Sequence, residues 1–245
     1  YEIAQCLVGS EMCIRDSCMT CTAAFAQTVK PFKEGERAVF LGNSITDGGH
    51  YHSYIWLYYM TRFPDMPIRV FNGGIGGDTA YDMNKRLDGD IFAMKPSVLM
   101  VTFGMNDSGY FEYNGDKPKE FGEQKYQESI KNYQQMEKRF KDLPDTRIVM
   151  VGTSPYDETV QLKESTPFKT KNETIKRLVE YQQESAAKNN WEFTDLNAPM
   201  TAINQQYQQK DPTFTLCGSD RIHPDNDGHM VMALSLIHIS EPTRH

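Results

Sequence analysis

Residues 97–107 read Ser97-Val98-Leu99-Met100-Val101-Thr102-Phe103-Gly104-Met105-Asn106-Asp107. The apolar run has no polar alternation, so a strand here is covered on both faces, as strands of parallel sheets are. It ends on a glycine and then on side chains that can hydrogen-bond or titrate. Outward from this stretch the pattern repeats. Residues 38–41 run into Gly42, residues 68–71 into the glycine-rich turn 72–77, residues 147–151 into Gly152, and residues 191–194 into Asp195. Between these strands helices are expected over 51–63, closed by Pro64, over 79–94, ended by Lys95-Pro96, and over 120–141 and 172–188. A last helix is expected from about Asp225. Alternating strands and helices predict an α/β protein: a single three-layer α/β/α domain with a five-stranded, mainly parallel sheet. Ligands of such sheets sit beyond the carboxyl ends of the strands, so the residues just after each strand are the candidates for chemistry.

Composition narrows the function classes. The chain has 245 residues, 39% hydrophobic and 24% charged, which suits one globular domain with a buried core. A net charge of −7 disfavours nucleic acid as a partner, because phosphate binding needs a basic surface. No apolar run is long enough for a membrane span. Residues 7–17, LVGSEMCIRDS, and 234–244, LSLIHISEPTR, read as translations of the two strands of a sequencing adapter. Residues 1–17 and 234–245 are therefore expected to be foreign to the domain, which is read as 27–233 and as cut short at its C-terminal end. On that reading Met230, Val231, Met232 and Ala233 supply the apolar start of the last helix, which breaks or frays from Leu234. Residues 18–26 are uncharged and end in Ala24-Phe25-Ala26, the pattern of a signal-peptide remnant, so a secreted or periplasmic location is expected. Cys217 is then the sole cysteine of the domain, which excludes an internal disulfide, and no paired CxxC zinc pattern exists.

Four blocks carry the candidate chemistry. After the first strand comes Gly42-Asn43-Ser44-Ile45-Thr46-Asp47-Gly48. A serine at a strand-to-helix junction presents its hydroxyl above the sheet, although it equally suits a helix cap. The G-x-S-x-G elbow is not matched, since Thr46 stands at the second glycine. After the second strand, Asn72-Gly73-Gly74-Ile75-Gly76-Gly77-Asp78-Thr79 lets backbone N–H groups approach a ligand, or forms a tight turn alone. A dinucleotide fingerprint fails because Thr79 occupies its third glycine position, and no Gly-Lys-Ser/Thr of a P-loop follows. After the third strand, Asn106 in Gly104-Met105-Asn106-Asp107 could aim an amide N–H at a developing oxyanion. Near the end, Asp220-Arg221-Ile222-His223-Pro224 spaces a carboxylate so that it can orient an imidazole. A calcium loop starting at His223 fails, because a histidine takes the first ligand position and Leu234 the final one.

The ordered set GNS, NGGIGGDT, GMND and DRIHP resembles the SGNH (GDSL-like) hydrolase family, whose blocks read GDS, a glycine turn, GxND and DxxHP. The resemblance runs from about Ala38 to Ala233. It implies a flavodoxin-like fold and a serine esterase with Ser44 as nucleophile, His223 as general base and then acid, and Asp220 orienting His223. It also implies an oxyanion hole from the Ser44 and Gly77 backbone N–H groups and the Asn106 side chain, with no metal or organic cofactor. Asn43 departs from the usual aspartate but keeps one carbonyl acceptor, so the turn is expected to survive. The substrate is expected to be a small-molecule or glycan ester, an acetylated carbohydrate first, with a lysophospholipase- or thioesterase-type acyl hydrolase, or a catalytically silent glycan-binding module, as alternatives. Tyr51, Tyr54, Trp56, Tyr58 and Tyr59 follow the nucleophile, either as helix core or as a sugar platform.

Overall fold

The computed structural model describes residues 29–163 and 165–238. Five strands, β1 (Arg37–Gly42), β2 (Arg69–Gly74), β3 (Val98–Val101), β4 (Arg147–Gly152) and β5 (Glu192–Asp195), form one sheet in the order β2-β1-β3-β4-β5. Every neighbouring pair is parallel. The helices are α1 (Ser44–Asp47), α2 (His50–Arg62), α3 (Ala80–Arg86), α4 (Pro118–Lys141), α5 (Lys171–Asn189), α6 (Asn197–Gln208) and α7 (Asn226–His238). The three-layer α/β/α fold is the one expected.

Period-two alternation builds two cores from the same strands. Phe40, Met100, Val149 and Val151 point to the face covered by α2 and α7, where they meet Ile55, Tyr59, Val231 and Met232. Val39, Leu41, Leu99, Val101 and Met150 point to the opposite face, against Met83 of α3 and Tyr133, Met136 and Phe140 of α4. All four residues of β3 are buried, which is what its unbroken apolar run requires.

Three elements differ from expectation. The helix expected over 79–94 is α-helical only to Arg86, then passes through a π turn, Leu87–Ile91, and a 3-10 turn, Phe92–Met94. Asp88-Gly89-Asp90 is poor helix-forming sequence, and the wider turn leaves Leu87 and Ile91 fully buried on the same core. α6 was not expected: Met200 and Ile203 are buried in the core and Tyr207 packs against it, with asparagine, glutamine and threonine set between them. Finally, α7 does not break at Leu234. It continues to His238, with Leu236 and Ile237 buried in the core and Ser235 Oγ donating to Val231 O at 2.9 Å. Leu-Ser-Leu-Ile prolongs the apolar spacing set by Met232 and Ala233, so these residues extend the helix whatever their origin. Residues 1–28, with the adapter-like and signal-like segments, and 239–245 lie outside the described residues.

Candidate active site

The chain leaves β1 toward β2 on one side and returns to β3 on the other, so the strand order reverses between β1 and β3. Loops from these two strands diverge there, at the carboxyl-end switch point where ligands of such sheets bind. Ser44 follows β1 and Asn106 follows β3, which puts both at this switch point.

Asn43, not Ser44, caps the short helix α1. Its buried side chain accepts from Ile45 N at 3.0 Å, leaving Ser44 as the first helical residue with its hydroxyl uncommitted to capping. The substitution of Asn for the usual aspartate thus preserves the turn through the one carbonyl oxygen it retains. The end of β2 lies directly against α1: a Cβ on Gly74 would stand 2.3 Å from Asp47 N, a position only glycine can occupy. Asn72 fastens the two, donating to Asp47 O at 2.9 Å and accepting from Gly74 N at 2.9 Å. The loop then passes Ser44, a Cβ on Gly76 falling 4.0 Å from Ser44 Cβ. Gly77 follows with φ of +84°, the left-handed region that favours glycine.

Arg86 and Asp107 lock this arrangement from below. Arg86 donates to Asp78 Oδ2 at 2.6 Å and, through Nη2, to Gly73 O at 2.7 Å and Gly42 O at 3.2 Å, joining the ends of β1 and β2. Asp107 is buried and accepts from Ala80 N, Gly104 N and Ser129 Oγ at 2.9, 3.0 and 3.1 Å. Burial pushes its carboxyl up from the ordinary range, and those donors oppose the rise. The neighbouring Asn106 is held at both ends: Nδ2 donates to Asp78 O at 2.9 Å, and Oδ1 accepts from Tyr110 Oη at 2.5 Å.

The turn before α7 brings the remaining pair. Asp220 Oδ1 accepts from the backbone N–H groups of Ile222 and His223, both at 2.9 Å. Asp220 Oδ2 lies 2.5 Å from His223 Nδ1, and His223 Nε2 lies 2.8 Å from Ser44 Oγ. Three residues drawn from opposite ends of the chain thus make one continuous hydrogen-bonded line. Partial burial opposes ionisation of Asp220, but the His223 ring and the two backbone donors outweigh it and hold the carboxyl at about 2. His223 is raised above its ordinary value, chiefly by the hydrogen bond to Asp220, with partial burial opposing. Both side chains are about half exposed, at 48% and 49%.

The anchoring role of Arg221 within this turn was not foreseen. It is buried, its φ is +69°, and its guanidinium donates to Asp157 O, Val160 O, Ser165 Oγ and Ser165 O at 3.1, 2.7, 3.0 and 2.7 Å. The side-chain bonds to the loop after β4 hold a backbone conformation that arginine disfavours. Tyr110 was missed as well. Of the aromatic run after Ser44, Tyr51 and Tyr59 are core, Tyr54 and Tyr58 pack against it, and Trp56 is 44% exposed. Among the described residues no cluster of three or more His, Cys, Asp or Glu is placed to hold a metal, no helix is long and apolar enough to cross a membrane, and Cys217 is a buried free thiol.

Comparison with known proteins shows the family and the fold. BT4096, a gut microbial diltiazem-metabolizing enzyme of known structure, is 81% identical with a TM-score of 0.86; the match covers 89% of this chain and 49% of that one, so the chain spans about half of its length. An acetylxylan esterase of Geobacillus stearothermophilus is 26% identical over 83% of this chain and 93% of its own. The crystal structure of Axe2, an acetylxylan esterase from the same organism, superposes with a TM-score of 0.65 at 23% identity, over 84% of this chain and 94% of that one. Catalytic mutants of Axe2 with a serine, an aspartate or a histidine changed to alanine share the fold equally. The model of the GDSL-like lipase/acylhydrolase family matches residues 40–231. With its parallel sheet and this match over most of its length, the chain belongs to the GDSL-like lipase/acylhydrolase family and is an ester hydrolase.

Proposed function

We propose that the chain hydrolyses acetyl esters of carbohydrates by a Ser44–His223–Asp220 acyl-enzyme mechanism. The observation that carries this reading is the continuous line Ser44 Oγ to His223 Nε2, 2.8 Å, and His223 Nδ1 to Asp220 Oδ2, 2.5 Å. An ionised Asp220 accepts from Nδ1–H, which fixes the tautomer in which Nε2 carries the lone pair facing the Ser44 hydroxyl. Ser44 Oγ attacks the ester carbonyl while Nε2 takes its proton. The imidazolium, stabilised by Asp220, returns that proton to the leaving alcohol as the C–O bond breaks. A water molecule, deprotonated in turn by His223, attacks the acyl-serine and releases the acid and free Ser44. The Ser44 and Gly77 N–H groups and the second N–H of the Asn106 amide receive the negative charge of each tetrahedral intermediate.

The acetyl-carbohydrate substrate is favoured by the acetylxylan esterase relative, which the chain matches over nearly its whole length. A small drug-like ester is the second reading, favoured by the 81% identity to BT4096. The discriminating experiment is a panel of acetylated xylo-oligosaccharides, diltiazem and long-chain acyl esters. The proposal expects the highest kcat/KM on the acetylated sugars. A preference of more than about tenfold for long-chain esters would place the chain among lipid or thioester hydrolases instead. A secreted or periplasmic site of action suits a polysaccharide-derived substrate, and the segment over residues 18–26 is proposed to be its exit signal.

A further inference from the structure

The turn bearing Asn106 is gripped by a lysine. Lys171, the first residue of α5, is fully buried, and its Nζ donates to Met105 O at 2.7 Å, Ser108 Oγ at 2.6 Å and Gly109 O at 2.5 Å. Those are the three acceptors an ammonium group needs when it leaves water. The same Nζ lies 4.0 Å from the centroid of the Tyr110 ring, a cation-π contact that fixes where the ring lies. The ring also packs edge-on to Phe168 at 6.0 Å. From this held position the Tyr110 hydroxyl donates to Asn106 Oδ1. An amide side chain can turn about its last torsion, and its oxygen and nitrogen present opposite chemistry. Asp78 O can only accept, so it holds Nδ2, while Tyr110 engages the oxygen. The two contacts together fix the plane of the amide and the direction of its remaining N–H.

We propose that Tyr110 is a positioning residue for the reaction: its hydroxyl, seated by Lys171, holds the Asn106 amide in the plane from which it donates to the oxyanion. The proposal rests on the reading of Asn106 as an oxyanion donor. A donor at a transition-state charge acts through alignment, so a group that sets its alignment affects kcat while leaving ground-state binding almost unchanged.

The test is a double-mutant cycle of Tyr110→Phe and Asn106→Ala, with kcat and KM measured on an acetate ester. Tyr110→Phe keeps the ring over Lys171 and removes only the hydroxyl. It is expected to lower kcat about tenfold, the scale of one hydrogen bond, with KM changed by less than about twofold. On the Asn106→Ala background the same substitution is expected to change kcat by less than about twofold, because no amide remains to be aligned. An equal loss on both backgrounds, or an unchanged kcat with Asn106 present, overturns the proposal. An Asn106→Ala variant with undiminished kcat would instead overturn the oxyanion reading itself, which separates the two failures.

Discussion

The two halves of the site are built in opposite ways. The half that holds Ser44 and Asn106 grows from strand ends and is locked by buried polar groups: Asn43, Asp78 with Arg86, and Asp107 bonded to two backbone N–H groups and a serine. The half that holds Asp220 and His223 rides on a loop, is about half exposed, and is anchored through Arg221. On the proposed mechanism the difference follows from their tasks. An oxyanion hole gains from donors that cannot move as charge develops, so it belongs on the rigid sheet. A general base must exchange protons with leaving group and water, so its pair sits at the solvent edge, with Asp220 held at about 2 so that it stays ionised.

The largest expected effect comes from damaging the loop half chemically. Asp220→Asn keeps the shape but removes the charge that selects the His223 tautomer, and kcat is expected to fall on the order of 10⁴-fold. The same variant moves a pH profile. Asp220 raises His223 above its ordinary 6.5, and only neutral His223 acts as base, so the acid limb of kcat/KM is expected to lie above 6.5 in the wild type and at lower pH in Asp220→Asn. The linked stability has a definite sign. The raised His223 stabilises the fold at low pH, and that part is lost as pH rises through its folded value. The depressed Asp220 stabilises above about 3.8, and that part is lost as pH falls toward about 2.

Damage to the sheet half comes next. Asn106→Ala is expected to lower kcat by about 10² to 10³, with KM little changed; steady-state kinetics on an acetate ester checks it. A pure KM effect would make Asn106 a substrate-binding residue. Arg221→Met tests whether the anchor serves only the loop half. Losing the guanidinium strands the carbonyls of Asp157, Val160 and Ser165, so a stability loss of about 3 kcal/mol is expected in urea unfolding at unchanged m-value. A roughly tenfold loss of kcat should accompany it as His223 loosens. The smallest effect is Asn43→Ala, which removes one cap bond for about 1 kcal/mol. If Asn43→Ala cost more than Arg221→Met, the contrast between a redundantly locked half and a singly anchored half would be wrong.

Much of this was legible in the sequence for a physical reason. Unbroken apolar runs such as Val98–Val101 mark strands covered on both faces, and the residues after them fall at the strand ends by geometry alone. Ser44 and Asn106 were therefore candidates by their place after a strand, and Asp220 and His223 by their spacing before the last helix, with the family resemblance supplying the grouping and the roles proposed for them. What escaped has no local pattern. Arg221, Lys171 and Tyr110 look like ordinary surface residues, and their burial depends on carbonyls brought from distant loops. α6 escaped although Leu196, Met200, Ile203 and Tyr207 are spaced along one helical face, because the polar residues between them mask a stripe one side chain wide. The break expected at Leu234 failed because helix continuation depends on apolar spacing, and Leu236 and Ile237 meet that requirement. The π turn was hidden because Leu87 and Ile91 satisfy the core in either helical form.

The central claim is that His223, aligned by Asp220, activates Ser44, and active-site labelling tests it most directly. The protein is treated with a fluorophosphonate and analysed by intact mass and peptide mapping. The account expects one adduct, on Ser44, formed rapidly by the wild type, at least about 10³-fold more slowly by His223→Ala, and not at all by Ser44→Ala. An adduct on another residue, or labelling of His223→Ala at the wild-type rate, would contradict it.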